Sequence, residues 1–319
     1  MENTIVAHDR SALFTHLWYL AQKDSNEFVY FKGLTDEERQ NVMNLITDVL
    51  DVERRQIVGE RLKPVISEPI PTTQQVPVVP ASTTLPLHDP SQYSFGKGEL
   101  WIPWAQRFAA GPKRGEYPRK YPSGLIVHWT AGHRNGLKAG MDFMRTSGML
   151  YLMVDKDGNL GQSDPLNFHG YHAGNSSHPS VKGYVSDDFA GVELQAAGNL
   201  RANGGHYYPW WDNGKLDPKN RIPHEEVITV SARDNISAGH YHLYTLPQML
   251  ALRKLVAWLH LNNPDVFSID RVLGHDEVSP GRKSDPGGAL NLEGDSLTMK
   301  EFRAVCFADV AKIKAAAKG

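Results

Sequence analysis

The chain has 319 residues, of which 40% are hydrophobic and 22% are charged, a composition typical of a folded globular protein of about two domains. The formal net charge of -2 argues against a general nucleic-acid-binding protein, which would be strongly basic. The one cysteine, Cys306, excludes an intrachain disulfide framework and a thiolate-rich zinc site. Any metal site must therefore use histidine and carboxylate ligands.

The first residues of the chain show no export signal. Met1 to Thr4 are not a basic region followed by an apolar segment, so we expect no signal peptide. No stretch approaches the roughly 20 apolar residues of a membrane-spanning helix. We therefore expect cytoplasmic synthesis and no membrane insertion. Action on a cell wall in the periplasm would then depend on release by another factor.

Residues 1–63 are predicted to form a small helical domain. Apolar residues recur at helical spacing in two segments, and Thr35 with Glu38 has the pattern of a capping box at the start of the second helix. About 60 residues give a marginal core. We therefore interpret this unit as an accessory domain that serves self-association or docking.

Residues 64–90 are predicted to be a linker. The segment contains seven prolines separated mainly by threonine, serine, glutamine and valine. This composition favours an extended, semi-rigid chain over a packed core. A second, larger domain is therefore predicted to span residues 91–319.

Strand and helix signals are interleaved along residues 91–319. Predicted strands lie at 125–129, 150–154 and 190–195, with a hairpin turn at Asp157-Gly158. Predicted helices lie at 137–145, after a capping Thr245, and at 298–318. Residues 198–244 are polar, glycine-rich and aromatic without clear periodicity, and we interpret them as a long insertion. The pattern predicts an α+β (α/β-like) fold, a central mixed β-sheet flanked by helices.

Three residues form a candidate metal site. His128 ends an apolar strand, and His275 follows the β-prone Val272-Leu273. Asp285 comes ten positions after His275, within a Pro- and Gly-rich stretch at 274–288 that excludes a regular helix. Two imidazoles and one carboxylate are a zinc ligand set that leaves a fourth position for water. The same residue types could also hold iron, and a lone buried histidine is often structural.

Other histidine pairs are weaker candidates. His169 and His172 have His-x-x-His spacing, but the intervening Gly170 argues against the helix that such zinc sites need. His240 and His242 would share one face of a strand, without an evident third ligand. We interpret both pairs as structural or pocket-lining.

Four motifs in order resemble the zinc-dependent N-acetylmuramoyl-L-alanine amidases, the type 2 amidases related to phage lysins and peptidoglycan recognition proteins. The motifs are His128-Trp129-Thr130, Tyr171-His172-Ala173-Gly174, Gly191-Val192-Glu193-Leu194, and Gly274-His275 through Lys283-Ser284-Asp285-Pro286-Gly287. The resemblance covers about residues 120–290. It implies Zn²⁺ as cofactor in a cleft at the end of the sheet, and peptidoglycan or muropeptides as partners.

The resemblance also implies roles for individual residues. His128, His275 and Asp285 match the zinc ligands. Lys283 matches a catalytic lysine that would stabilise the oxyanion. Glu193 matches the acidic residue opposite it, which would act as general base and then general acid. His172 and Asn175 match a segment that lines the substrate cleft. Trp129, Trp210 and Trp211 could stack on sugars, but tryptophans are more often core.

These features predict a zinc hydrolase that cleaves the amide bond between N-acetylmuramic acid and L-alanine. The helical unit and linker favour a phage endolysin that degrades the bacterial cell wall, with antimicrobial action. A cytoplasmic muropeptide-recycling amidase and a delivered antibacterial effector are alternatives within the same chemistry. A non-catalytic peptidoglycan-binding protein is a further alternative, although such proteins lose a ligand that is present here.

Overall fold

The computed structural model describes residues 87–318, apart from residues 112, 133–135, 148, 150, 151, 182 and 293. The predicted helical domain at 1–63 and most of the predicted linker lie outside the described residues. The strands are, in chain order, β1 (Gln106–Arg107), β2 (Gly115–Glu116), β3 (Gly124–Trp129), β4 (Leu152–Val154), β5 (Leu160–Gln162), β6 (Phe168–His169), β7 (Phe189–Leu194), β8 (Asn199–Asn203), β9 (His206–Pro209), β10 (Val227–Val230), β11 (Gly239–His242), β12 (Val272–Gly274), β13 (Asn291–Leu292) and β14 (Asp295–Ser296). The α-helices are α1 (Gly136–Thr146), α2 (Leu246–Asn262), α3 (His275–Val278) and α4 (Met299–Ala316).

A six-stranded mixed sheet lies at the centre, in the order β1-β5-β4-β7-β3-β12. The neighbours β4, β7, β3 and β12 are parallel, whereas β5 returns antiparallel to β4. The return follows from the turn at Asp157-Gly158, where Gly158 adopts a φ of 81° that glycine reaches without steric cost. The predicted central mixed sheet and the hairpin are both confirmed.

Helices and loops cover both faces of this sheet. On one face, Leu125 and Val127 of β3 join a core that contains Trp258 of α2 and Phe302 of α4. On the other face, Ile126 packs with the segment around Ala173 and with α3. Burial on both faces explains the continuous apolar run of β3, which is typical of a central parallel strand. The predicted α+β fold is thereby confirmed.

The predicted helix starts agree with the structure. Thr245 accepts a hydrogen bond from the Gln248 backbone, and the Gln248 side chain accepts from the Thr245 backbone, at the start of α2. Thr298 and Glu301 form the same reciprocal pair at the start of α4. None of the helices among the described residues is long and apolar enough to cross a membrane.

The stretch 274–288 differs from the prediction at its beginning. It was expected to exclude a regular helix, yet His275–Val278 form one helical turn, α3. The turn is favoured because the Glu277 carboxylate accepts a hydrogen bond from the Gly274 N–H at 3.0 Å, which caps an otherwise unpaired donor. The rest of the stretch is irregular except for a short 3₁₀ turn at Gly287–Ala289.

The segment 198–244 contains a second, antiparallel sheet in the order β10-β11-β8-β9, here called the insertion sheet. Tyr241 of β11 packs the insertion sheet against the stretch 274–288, here called the metal-site stretch. A Cβ at Gly287 or Gly288 would lie 2.6 or 2.8 Å from the Tyr241 ring. The strands were missed in the sequence because much of β8 and β9 is polar or partly exposed. Their alternation of apolar and polar residues is therefore weak.

Candidate active site

The three candidate ligands meet at the carboxyl edge of the central sheet. Gly274 pairs with Val127 in the parallel β12–β3 register, so His275 follows at the level of His128. The His128 Nδ1 lies 2.9 Å from the His275 Nδ1 and 3.0 Å from the Asp285 Oδ2. The His275 Nδ1 lies 2.9 Å from the same Oδ2. All three side chains are buried.

Hydrogen bonds behind the cluster set the tautomer of each histidine. The His172 Nε2 lies 2.9 Å from the Phe189 carbonyl oxygen and donates to it, so the His172 Nδ1 accepts from the His128 Nε2 at 3.1 Å. The His275 Nε2 donates to the Ala173 carbonyl oxygen at 2.9 Å. Neutral imidazole carries one ring proton, and burial lowers the pKa of His128 to about 4. Both Nδ1 atoms therefore direct lone pairs at the cluster.

This donor set fits a divalent cation. Two imidazole lone pairs and a carboxylate oxygen within about 3 Å of each other would repel without a positive charge between them. Tetrahedral zinc with ligand bonds of about 2.0–2.1 Å places its ligands about 3.3 Å apart, close to the observed separations. Among the described residues, one group of three or more histidine, cysteine or acidic side chains lies close enough together to hold a metal ion, and that group is this cluster.

Glu193 lies beside the cluster on the neighbouring strand. Its Cα is the register partner of the His128 Cα between β7 and β3. The Oε2 atom is enclosed and has no hydrogen-bond partner among the described residues. Burial raises the pKa of Glu193 well above its ordinary value, the negative charge of Asp285 raises it further, and Lys283 opposes the shift. A carboxylate held in this way is suited to moving a proton.

Lys283 completes the charged surroundings of the cluster. Its positive charge lowers the pKa of both His128 and Glu193, and it comes two positions before Asp285 in the chain. The residue is exposed, and its backbone N–H donates to the Ser279 carbonyl oxygen at 3.0 Å. The fold thus brings together five of the predicted site residues: His128, Glu193, His275, Lys283 and Asp285.

The two predicted substrate-binding residues occupy different environments. His172 supports the ligand His128 from behind, and its ring fills the space at Gly191, where a Cβ would lie 2.7 Å from the ring. Asn175 is exposed, and its carbonyl oxygen accepts a hydrogen bond from the Ser279 hydroxyl at 3.2 Å. The structure therefore places His172 as a positioning group for the metal ligand, whereas Asn175 remains on the surface.

Two supporting residues were not singled out in the sequence. The Arg282 guanidinium donates to the Ala173 carbonyl oxygen at 2.9 Å and to the Ser279 hydroxyl at 2.6 Å, which ties the two metal-site loops together. The Tyr244 hydroxyl donates to the His128 carbonyl oxygen at 3.2 Å. The position of Arg282 directly before Lys283 was the available signal. No sequence signal pointed to Tyr244, because the residue it contacts lies 116 positions away in the chain.

The other histidines of the two weaker pairs lie outside the candidate metal cluster. The His169 Nδ1 lies 3.2 Å from the Asp187 carboxylate. The His242 Nε2 lies 2.7 Å from the Glu226 carboxylate, and the His240 Nδ1 lies 2.7 Å from the Thr229 hydroxyl.

Comparison with known families gives one domain match. The family model described as "Amidase_2: N-acetylmuramoyl-L-alanine amidase" matches residues 118–288, which include every predicted site residue. No curated protein sequence matches significantly.

Similar solved structures include AmpD and two N-acetylmuramoyl-L-alanine amidases. A selenomethionine derivative of AmpD is 19% identical, with a TM-score of 0.39; the match covers 66% of this chain and 98% of that one. AmiD from E. coli, solved with anhydro-N-acetylmuramic acid-L-Ala-D-γ-Glu-L-Lys, is 18% identical, with coverages of 61% and 63% and a TM-score of 0.38. The endolysin amidase LysCS from Clostridium intestinale URNW is 14% identical, with coverages of 65% and 97% and a TM-score of 0.38.

Proposed function

The chain belongs to the N-acetylmuramoyl-L-alanine amidase family, and we propose that it is a zinc-dependent endolysin that cleaves the bond between the muramic acid lactyl group and L-alanine in the bacterial cell wall. The observation that carries the zinc dependence is the convergence of His128 Nδ1, His275 Nδ1 and Asp285 Oδ2 within 3.0 Å of one another. The tautomers of both histidines leave these atoms free of protons.

Amide hydrolysis makes three chemical demands on the site. A water must be activated as a nucleophile, negative charge on the carbonyl oxygen must be stabilised, and the leaving nitrogen must receive a proton. His128, His275 and Asp285 would hold zinc. A zinc ion held there acts as a Lewis acid that polarises a carbonyl and lowers the pKa of water.

The protein's own residues supply the other functions. Glu193 accepts the proton of the attacking water and passes it to the leaving nitrogen, since its Oε2 is enclosed and engages no donor among the described residues. Lys283 places its ammonium group where the carbonyl oxygen becomes negative. His172 keeps a proton on the His128 Nε2, so the Nδ1 stays available as a ligand atom.

The endolysin role is supported by the predicted layout of the chain, a helical unit and a proline-rich linker ahead of the amidase domain. Such a protein is made in the cytoplasm and reaches the wall after another factor releases it. A recycling amidase would use the same bond chemistry on soluble fragments, and the two roles differ in the physical form of the substrate.

The test incubates the full-length protein with intact sacculi and, separately, with soluble anhydro-muropeptides, each with and without a chelator. We expect free stem peptides beginning with L-alanine to be released from sacculi, and we expect chelation to abolish the release. Mass spectrometry of the products identifies the bond.

Three outcomes would contradict parts of the proposal. Cleavage in the glycan or between amino acids would overturn the bond assignment. Activity that survives chelation would overturn the zinc dependence. Activity on soluble fragments alone would replace the endolysin with a recycling amidase.

A further inference from the structure

Two arginines of the segment 198–244 lie in one row that crosses β8, β9 and the chain that bridges to β9. Arg201 of β8 pairs with Tyr208 of β9. Ile222 bridges Tyr207 in antiparallel register, so Arg221 lies opposite Tyr208, and its guanidinium contacts the Tyr208 hydroxyl at 3.4 Å. Residues directly opposite each other share a face of the sheet. Arg201 and Arg221 are therefore exposed on the same face of the sheet, on either side of the buried Tyr208, and this pair of arginines is here called the cationic shelf.

The cationic shelf starts next to the metal-site stretch. Asn199, two positions before Arg201, shares its face because side chains alternate along a strand. The Asn199 Oδ1 accepts a hydrogen bond from the Ser284 hydroxyl at 3.5 Å, and Ser284 lies between Lys283 and Asp285. Two residues of strand span about 7 Å. The shelf thus begins two strand positions from a residue that contacts the segment Lys283–Asp285.

The charges of the cationic shelf have no acidic partner within the part of the chain that the structure describes. Arg201 and Arg221 are both exposed, and neither forms an ion pair there. By contrast, three partly buried arginines of the domain are paired: Arg253 with Asp309, Arg271 with Asp188, and Arg303 with Glu277. On β11, the register His240–Leu200 places Gly239 beside Arg201, so no side chain covers it from that strand.

We propose that the cationic shelf binds the carboxylates of the substrate's stem peptide, an inference that rests on the proposed amidase function. The stem peptide released by the cleavage carries free carboxylates beyond L-alanine. The sugar side is neutral, because the carboxyl group of N-acetylmuramic acid is taken up by the amide bond. A guanidinium group presents paired N–H donors that match a carboxylate. The Tyr208 hydroxyl holds the Arg221 group in place. The insertion sheet is therefore a specificity element for anionic stem peptides.

The test compares two soluble substrates that differ only in the stem peptide. Both contain N-acetylmuramoyl-L-alanine; in one the peptide carboxylates are free, and in the other they are amidated. We expect the wild-type protein to prefer the free form through a lower KM. Arg201→Gln and Arg221→Gln should each lower kcat/KM for the free form by about tenfold, with little change for the amidated form.

Arg145→Gln is the matched control, because it removes an exposed arginine from the last turn of α1 and should leave the preference unchanged. Arg201→Lys should retain part of it. The ratio of the two kcat/KM values does not depend on the folded fraction, so a destabilised variant still reports on the shelf.

The outcomes separate this inference from the proposed function. If the wild-type protein cleaves neither these substrates nor sacculi, the amidase assignment itself fails, whereas cleavage of sacculi alone overturns only the present inference. If it cleaves both equally well, or if Arg201→Gln lowers kcat/KM for both substrates to the same extent, the shelf does not bind the peptide carboxylates and the inference is overturned.

Discussion

At the scale of single residues, the candidate site depends on which ring nitrogen of each histidine carries a proton. The His128 Nε2 proton is held by a hydrogen bond to the His172 Nδ1, and the His275 Nε2 proton by a hydrogen bond to the Ala173 carbonyl oxygen. Partners of this kind keep the ligand atom unprotonated and hold the ring in orientation. The family resemblance implies that His172 belongs to a segment lining the substrate cleft, and in the structure its ring contacts the candidate ligand His128.

We expect His172→Ala to weaken zinc binding about 10- to 100-fold, because the His128 Nε2 loses its acceptor and the tautomer is no longer held. The KM for substrate, measured at saturating zinc, should change little. Zinc affinity is measured by competition with a chromophoric chelator.

His172→Asn is the matched variant, since the amide oxygen can replace the Nδ1 acceptor and should recover part of the zinc affinity. A raised KM with unchanged zinc affinity would return His172 to the substrate cleft.

At the scale of elements, the insertion sheet is fastened to the central sheet by a cluster beside the β4–β5 hairpin. Glu226 lies 2.7 Å from the His242 Nε2 of β11 and 3.6 Å from the Lys156 ammonium. The hydrogen bond from His242 lowers the pKa of Glu226 to about 2, with Lys156 contributing. Burial lowers the pKa of His242 although Glu226 opposes the shift. We therefore interpret His242 as a neutral donor to an ionised Glu226.

Glu226→Gln should lower the stability at pH 6 by at most about 1 kcal/mol, because the carboxylate is 42% exposed and solvent screens the interaction. The folded pKa lies below the ordinary 4.5, so the stabilisation is fully present above pH 4.5 and is lost as the pH falls toward 2. The measurement is Tm for both proteins from pH 6 to pH 2.

The difference in Tm between the two proteins should shrink over that interval. A difference that stays constant, or that grows as the pH falls, would contradict an ionised Glu226 in the folded state. Acid effects on the metal site are common to both proteins and cancel in the comparison.

At the scale of the whole molecule, the candidate metal site joins parts of the chain that are far apart in sequence. His128 and His275 are separated by 147 positions, and His128 and Asp285 by 157. A cation bound only in the folded state stabilises that state by an amount that grows with the logarithm of its affinity. Zinc is therefore expected to contribute to stability as well as to catalysis.

Removal of metal by a chelator should lower the Tm of the wild-type protein, and added zinc should restore it. A stabilisation of about 3–4 kcal/mol is expected when zinc exceeds its dissociation constant 100- to 1,000-fold. Differential scanning calorimetry with zinc analysis of the same samples measures both quantities.

Asp285→Ala is the companion variant. It should contain no zinc, lack activity, retain the helical content in circular dichroism, and show a Tm that neither chelator nor zinc changes. Retention of activity by this variant would mean that the ligand assignment is wrong.

The sequence by itself determined the features that depend on local chemistry. The apolar run Leu125–Val127 predicts a buried strand, Thr245 with Gln248 predicts a helix start, and Asp157-Gly158 predicts a hairpin. The candidate metal-site residues could be predicted because histidines occur at strand ends and because their motifs occur in a recognisable order. Each of these signals is carried by residues close together in the chain.

The tertiary structure decided what depends on contacts between distant segments. The role of His172 follows from a ring 44 positions away from it in the chain, and the enclosure of Glu193 follows from packing around the sheet edge. The insertion sheet had no clear pattern, because its strands are short and partly exposed, and only its register brings Arg201 and Arg221 together. Hydrogen-bond partners and unpaired charges are properties of the folded arrangement, since no local spacing specifies which distant groups will meet.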